Sequence, residues 1–129
     1  MSRYISEKDR QFIAQCASYC CEYCLYSDDD TLFKHQIDHI ISLKHGGSSD
    51  LENLAYACFL CNNSKGSDVG TILLPGTTFI RFYNPRTDNW NDHFELYHGV
   101  IYAKSQIGQA TIKILEMNNV DRIMEKKED

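Results

Sequence analysis

The 129-residue sequence predicts an α+β fold, and three observations carry that reading. A short amphipathic helix pattern opens the chain, a β-β-α pattern follows between two Cys-x-x-Cys pairs, and the remainder mixes strand, hairpin and helix patterns. Strand and helix do not alternate regularly, so a parallel sheet is not expected. With 43% hydrophobic residues and no repeat or low-complexity tract, the chain can bury one ordinary core. One domain is expected, with its core over about residues 16–68 and a C-terminal extension over about 69–129.

The helix pattern begins at Ser6, whose hydroxyl can accept from the first free backbone amides, and Ile5, Phe12, Ile13 and Cys16 recur at near-helical spacing. This predicts a helix over about Ser6 to Tyr19, packed as a lid on the metal-binding part. Cys21 and Cys24 lie in a tight turn. Asp28, Asp29 and Asp30 read as a solvated acidic turn, because the regular alternation of oxygen ligands in a calcium-binding loop is missing.

Lys34 to Ile41 carries β-branched and aromatic residues in rough alternation and predicts a strand ending at Asp38-His39. Gly46-Gly47 suits a sharp return, and a second strand is expected over about Asn53 to Ala57. From Phe59 a helix presents Cys61, Asn62 and Lys65, and Gly66 ends it. Further on, Thr77 to Tyr83 predicts a strand, Asn84-Pro85-Arg86 a turn, and Phe94 to Ala103 a hairpin broken at His98-Gly99. A last helix starts at Gln106, is interrupted at Asn118-Asn119 and resumes at Val120, Ile123 and Met124.

Six cysteines in a secreted chain of this size would suggest disulfides. The N-terminus lacks the apolar run of a signal peptide, and no stretch approaches the ~20 apolar residues of a membrane span, so a cytoplasmic location and metal ligation are expected instead. Cys21-x-x-Cys24 and Cys58-x-x-Cys61 form two chelating pairs, each able to span one edge of a tetrahedral zinc. Four thiolates leave no open position for water, so this zinc is expected to be structural, clamping the base of the long hairpin between the pairs. Cys16 and Cys20 are read as buried thiols rather than ligands.

Inside the clamp sit Asp38, His39, Asn53 and Asn62. Asp38 and Asn62 offer the oxygen donors that Mg²⁺ or Mn²⁺ prefers, leaving positions for phosphate and water. His39 titrates near neutrality when unperturbed and can take a proton from an attacking water. Singly, each has a plainer role as turn former, strand-end histidine or cap; enclosed together between two cysteine pairs they point to phosphodiester chemistry.

The segments Cys-Glu-Tyr-Cys, Ile-Asp-His-Ile-Ile-Ser-Leu-Lys-His-Gly-Gly-Ser-Ser-Asp-Leu-Glu-Asn-Leu and Cys-Phe-Leu-Cys-Asn-Asn-Ser-Lys-Gly closely resemble the HNH endonucleases of the ββα-metal, or His-Me finger, superfamily. The resemblance covers about Cys21 to Gly66. It implies His39 as general base, Asp38 as the adjacent metal-binding acid, Asn53 as the asparagine that holds the histidine-bearing loop, and Asn62 as the last metal ligand. Asn62 stands where the family often has histidine, which makes this an H-N-N variant; the nuclease domain of the RNA-guided CRISPR effector tolerates the same change. The implied activity is metal-dependent hydrolysis of DNA to 3′-hydroxyl and 5′-phosphate ends.

Lys65 matches a lysine common after the last motif position, and either contacts a phosphate or is a solvated helix-end residue; Lys44 and His45 are similar cases. His35 is read as a bystander. In the extension, Arg86 is a candidate phosphate contact, whereas Trp90 and Phe94 read first as an aromatic cluster packing the tail onto the core. The formal net charge of -5 argues for modest affinity toward DNA or RNA. It also leaves open a non-catalytic zinc-containing module that binds nucleic acid or protein within a restriction or defence complex, or a protein partner that supplies basic surface.

Overall fold

The computed structural model describes residues 4–32 and 34–120. Its architecture is α+β, with three two-stranded antiparallel ribbons and helices packed around them. Helix α1 spans Glu7–Cys16, β1 Gln36–His39, β2 Leu54–Ala57 and α2 Phe59–Lys65. The extension adds β3 Gly70–Ile72, β4 Phe79–Arg81, a single turn α3 Trp90–His93, β5 Phe94–Tyr97, β6 Val100–Ala103 and α4 Gln106–Leu115.

Ser6 caps α1, its hydroxyl accepting from the Asp9 amide at 3.1 Å. The helix stops at Cys16 rather than Tyr19 because Ser18 and Tyr19 both take positive φ, which turns the chain toward the first cysteine pair. Helix α1 is not a lid on the metal-binding part. Ile5, Ile13 and Ala14 pack on Leu54 and Tyr56, whereas the four cysteines pack with Ala55 and Ala57. Side chains of a strand alternate between faces, so β2 separates helix from thiols, and all four of its residues are buried. The read strand limits, Lys34 to Ile41 and Asn53 to Ala57, contract to β1 and β2.

Strand β1 pairs with β2 in the register Gln36↔Ala57, Ile37↔Tyr56, Asp38↔Ala55 and His39↔Leu54. Beyond His39 the chain leaves the ladder through a 3₁₀ turn at Leu43–His45, with Gly46 at φ 89°. Gly47 permits this return: a Cβ there would lie 1.7 Å from the Ile41 carbonyl oxygen and 2.8 Å from the Asn53 amide nitrogen.

Asp28 to Asp30 form a capped 3₁₀ turn, with the Ser27 hydroxyl accepting from the Asp29 amide, rather than a wholly solvated loop. Asp28 is buried and accepts a hydrogen bond from the Tyr56 hydroxyl. Burial also raises the Tyr56 phenol pKa, reinforced by that carboxylate.

The extension shares the core. Phe82, Tyr83, Phe94, Ile101, Leu115 and Met117 are buried in one cluster with the cysteine pairs, and α4 packs on α2, β3, β4 and β6. The strand read over Thr77 to Tyr83 is β4, paired with β3. Asn118 clamps β6 by accepting from the Ile101 amide and donating to the Ile101 carbonyl, each at 2.8 Å. Helix α4 ends at Leu115 with Glu116 in the left-handed region. The resumption read at Ile123 and Met124 lies outside the described residues. Among the described residues, no helix is long and apolar enough to cross a membrane.

Candidate active site and metal centre

The two cysteine pairs are built from different local structures. After the bridge between Cys20 and Ser27, the Cys21 amide donates to the Tyr26 carbonyl at 2.8 Å, closing a tight knuckle that Leu25 completes at φ 70°. The second pair opens α2, with Cys58 as N-cap. In each, the second cysteine's amide donates to the first one's sulfur at 3.4 Å, which supports negative charge on that sulfur.

All four thiol sulfurs lie within 4.8 Å of one another and are buried. The Cys24 and Cys58 sulfurs are 3.7 Å apart. A tetrahedral zinc with Zn–S bonds of about 2.3 Å requires sulfur separations of about 3.8 Å, so the set fits a four-thiolate zinc site. Burial pushes the Cys21 and Cys61 thiols up, while hydrogen bonds from neighbouring thiols bring Cys24 and Cys58 down. Four buried sulfurs cannot all ionise side by side without a cation to balance them. Cys16 is exposed and Cys20 half-buried, so neither is the buried thiol expected, and neither joins the cluster.

Asp38 sits on the β1 face toward α2 and is only 3% exposed. Its Oδ2 accepts from the Tyr23 hydroxyl at 2.7 Å, and its Oδ1 from the Lys65 ammonium at 3.2 Å. Lys65, 1% exposed, also donates to the His39 carbonyl at 3.0 Å. The lysine is therefore neither solvated nor presented to a substrate: it is folded back under the strand as the partner of Asp38. Burial raises the Asp38 carboxyl pKa, opposed by Lys65 and the Tyr23 hydrogen bond, and burial together with Asp38 holds the Tyr23 phenol well above its usual range.

His39 ends β1, and its Nε2 lies 3.0 Å from the Ser49 hydroxyl in the return loop. Asn53 ties that loop down. It accepts from the Ile41 amide at 2.9 Å and donates to the carbonyls of Ile41 at 2.9 Å and Ser48 at 2.7 Å. Asn62, on the first turns of α2, donates to the Gln36 side chain across the β1–α2 contact.

Asp38, His39 and Asn62 line one open cleft of about 320 Å³, together with Ser42, exposed Lys44 and Ser67. Asn53 is not among its lining residues.

Arg86 is placed away from this cleft. Its guanidinium donates to Glu22 in the first knuckle, and Glu22 also accepts from the Tyr56 amide at 2.8 Å. The expected phosphate contact is instead a half-buried clasp between extension and knuckle. Trp90 donates its indole N–H to the Tyr23 carbonyl at 2.8 Å and packs on Phe94 with ring centroids 5.1 Å apart, joining tail to core. His35 lies buried beside Tyr56, its Nε2 2.8 Å from the Tyr26 carbonyl oxygen. Reading the sequence missed Tyr23 and Glu22. A signal was present, since both fill the interior of a Cys-x-x-Cys turn, but only the assembled knuckle shows what they reach.

Residues 21–68 match the family model described as HNH endonuclease. No curated protein and no solved structure matches the chain.

Proposed function

Proceeding from the HNH match of residues 21–68, we propose that this protein is a metal-dependent endonuclease that hydrolyses DNA phosphodiester bonds, acting as one domain in a reducing cytoplasm. One observation carries the reading: Asp38, His39 and Asn62 converge on a single open cleft whose rim bears the exposed Lys44. His39 is the general base. Its ring faces the Ser49 hydroxyl, which can donate or accept and so stays satisfied as the imidazole gains a proton from the attacking water. Asn53 acts through the loop, keeping His39 and Ser49 at a fixed separation. Lys44 replaces Lys65 as the candidate phosphate contact.

The donor set suits Mg²⁺ or Mn²⁺, with Asp38 and Asn62 as its oxygen ligands, since a carboxylate oxygen holding one hydrogen bond retains a further lone pair. When bound, the ion stabilises charge building on the phosphate and the leaving oxygen. A nicking assay on supercoiled plasmid with Mg²⁺ or Mn²⁺ tests the reading. Cutting by the wild type that His39→Ala abolishes is expected; equal cutting by both proteins, or none by either, rejects it.

A second reading, a zinc-scaffolded module that binds nucleic acid without cutting it, is favoured by the commitment of Asp38 to Lys65 and by the net charge of -5. It predicts DNA binding that His39→Ala leaves intact and no cleavage under any divalent ion. A partner supplying basic surface would raise affinity in either case.

A further inference from the structure

Asp38 carries two assignments that compete. As a candidate ligand it should offer its charge to a divalent ion, yet a buried ammonium already sits 3.2 Å from its Oδ1. Lys65 is held there from three directions. Helix α2 delivers it, the His39 carbonyl accepts from it at 3.0 Å, and its stem is sealed to 1% exposure. The Tyr23 hydroxyl pins the other carboxylate oxygen at 2.7 Å. A lysine ammonium near a protein surface would have many geometries open to it; this one is buried with the Asp38 carboxylate and the His39 carbonyl as its acceptors.

We infer that Lys65 is a positioning residue that acts through Asp38 as a built-in counter-ion, neutralising the carboxylate and so weakening divalent-metal binding in the DNA-free protein. A dication approaching Asp38 meets an approximately neutral Asp38–Lys65 pair rather than an anion, and the nearby ammonium repels it through a poorly screened interior. Charge is the operative property, not the occupied lone pair. Tyr23 also occupies the carboxylate but brings no charge, so the two neighbours should behave differently when removed. The inference rests on the nuclease reading for its biological meaning, though the charge competition can be measured without it.

Titration of Mn²⁺ followed by electron paramagnetic resonance, on the full chain with zinc retained and no DNA present, reads affinity directly. Lys65→Met keeps the stem and removes the charge, and it is expected to bind Mn²⁺ at least about tenfold more tightly than wild type, given the strength of unscreened charge pairs. Tyr23→Phe is expected to stay within about threefold of wild type, because the Tyr23 hydroxyl carries no net charge with which to repel a dication. The gain must vanish in the double variant Asp38→Asn, Lys65→Met. Equal Mn²⁺ affinity in Lys65→Met and wild type overturns the proposal, as does a gain in Tyr23→Phe as large as that in Lys65→Met.

Removing the ammonium strands a buried carboxylate, so Lys65→Met can fail to fold without metal. Thermal melts with and without Mn²⁺ read that case: recovery of folding by Mn²⁺, absent from the double variant, supports the proposal, and no recovery overturns it. The two readings separate cleanly. His39-dependent nicking by wild type with unchanged Mn²⁺ affinity in Lys65→Met rejects this inference and keeps the nuclease; tighter Mn²⁺ binding by Lys65→Met with no nicking by wild type does the reverse.

Discussion

Tyr23 and Asp38 are joined by a 2.7 Å hydrogen bond between buried groups, and through it the first cysteine knuckle reaches the strand that carries the candidate active site. Tyr23 lies between Cys21 and Cys24, so any slackening of the metal clamp displaces a group that touches Asp38 directly. Removing the hydroxyl in Tyr23→Phe leaves a buried carboxylate oxygen short of a donor. A loss of about 1–3 kcal/mol is expected, measured by denaturant unfolding of the zinc-loaded protein.

Asn53 makes three hydrogen bonds to the return loop from a side chain that is 9% exposed. Asn53→Ala orphans the Ile41 amide and two carbonyls, and a cost of about 1–3 kcal/mol is expected. The distinctive readout is local. Hydrogen exchange at the Ile41 amide should accelerate more than exchange in α4, and plasmid nicking should fall even at temperatures where the protein stays folded.

Zinc removal should act on the whole core rather than on the clamp alone. The four cysteines are members of the buried cluster that also holds Phe82, Phe94 and Leu115, so loss of the ion that ties the two pairs together removes a cross-link at the centre of the molecule. Chelation is expected to abolish the cooperative thermal transition seen by circular dichroism. Cys58→Ser should lose bound zinc by elemental analysis, whereas Cys16→Ser with Cys20→Ser should retain it.

Arg86 and Glu22 clasp the extension to the knuckle. Arg86→Ala is therefore expected to destabilise the protein by about 1–3 kcal/mol, because half-buried Glu22 is left without its cation. Lys44→Ala should leave stability unchanged within about 0.5 kcal/mol and reduce the salt dependence of DNA binding. A melt and a binding titration across salt concentrations distinguish the two residues; the opposite pattern would restore Arg86 as the phosphate contact.

Acid stability follows from Asp88, which accepts from Arg81 at 2.7 Å and 3.1 Å and from the Asn84 amide at 2.9 Å. The Arg81 hydrogen bond holds its carboxyl below the ordinary value of 3.8. A lowered folded-state pKa means the contribution is present above the unfolded value and is lost as pH falls through the folded one. The melting temperature should thus decline below about pH 4, and Asp88→Asn should have a shallower decline over the same window, checked by calorimetry.

Much of the fold was legible because its signals are local. Ser6 caps α1, and Gly66 ends α2 where a glycine after Lys65 suggests it. The hairpin turns at His98-Gly99, and the spacing of the two cysteine pairs anticipates four sulfurs within reach of one ion. Strand β3 was not legible. It is three residues long, Gly70–Ile72, with little alternation to mark it, and it exists because β4 returns to pair with it.

By itself the sequence determined the donor types, their order and the local turns that present them, since caps, knuckles and glycine returns depend on neighbours a few residues apart. Only the tertiary structure decided what each charged side chain meets. Lys65 and Arg86 have the same free-cation appearance in sequence as Lys44, yet Lys65 is drawn beneath β1 to Asp38 and Arg86 is clasped to Glu22, while Lys44 stays exposed at the cleft. A charge is worth most where water is excluded, and exclusion of water is a property of the packed chain, set by groups 27 and 64 positions away in sequence.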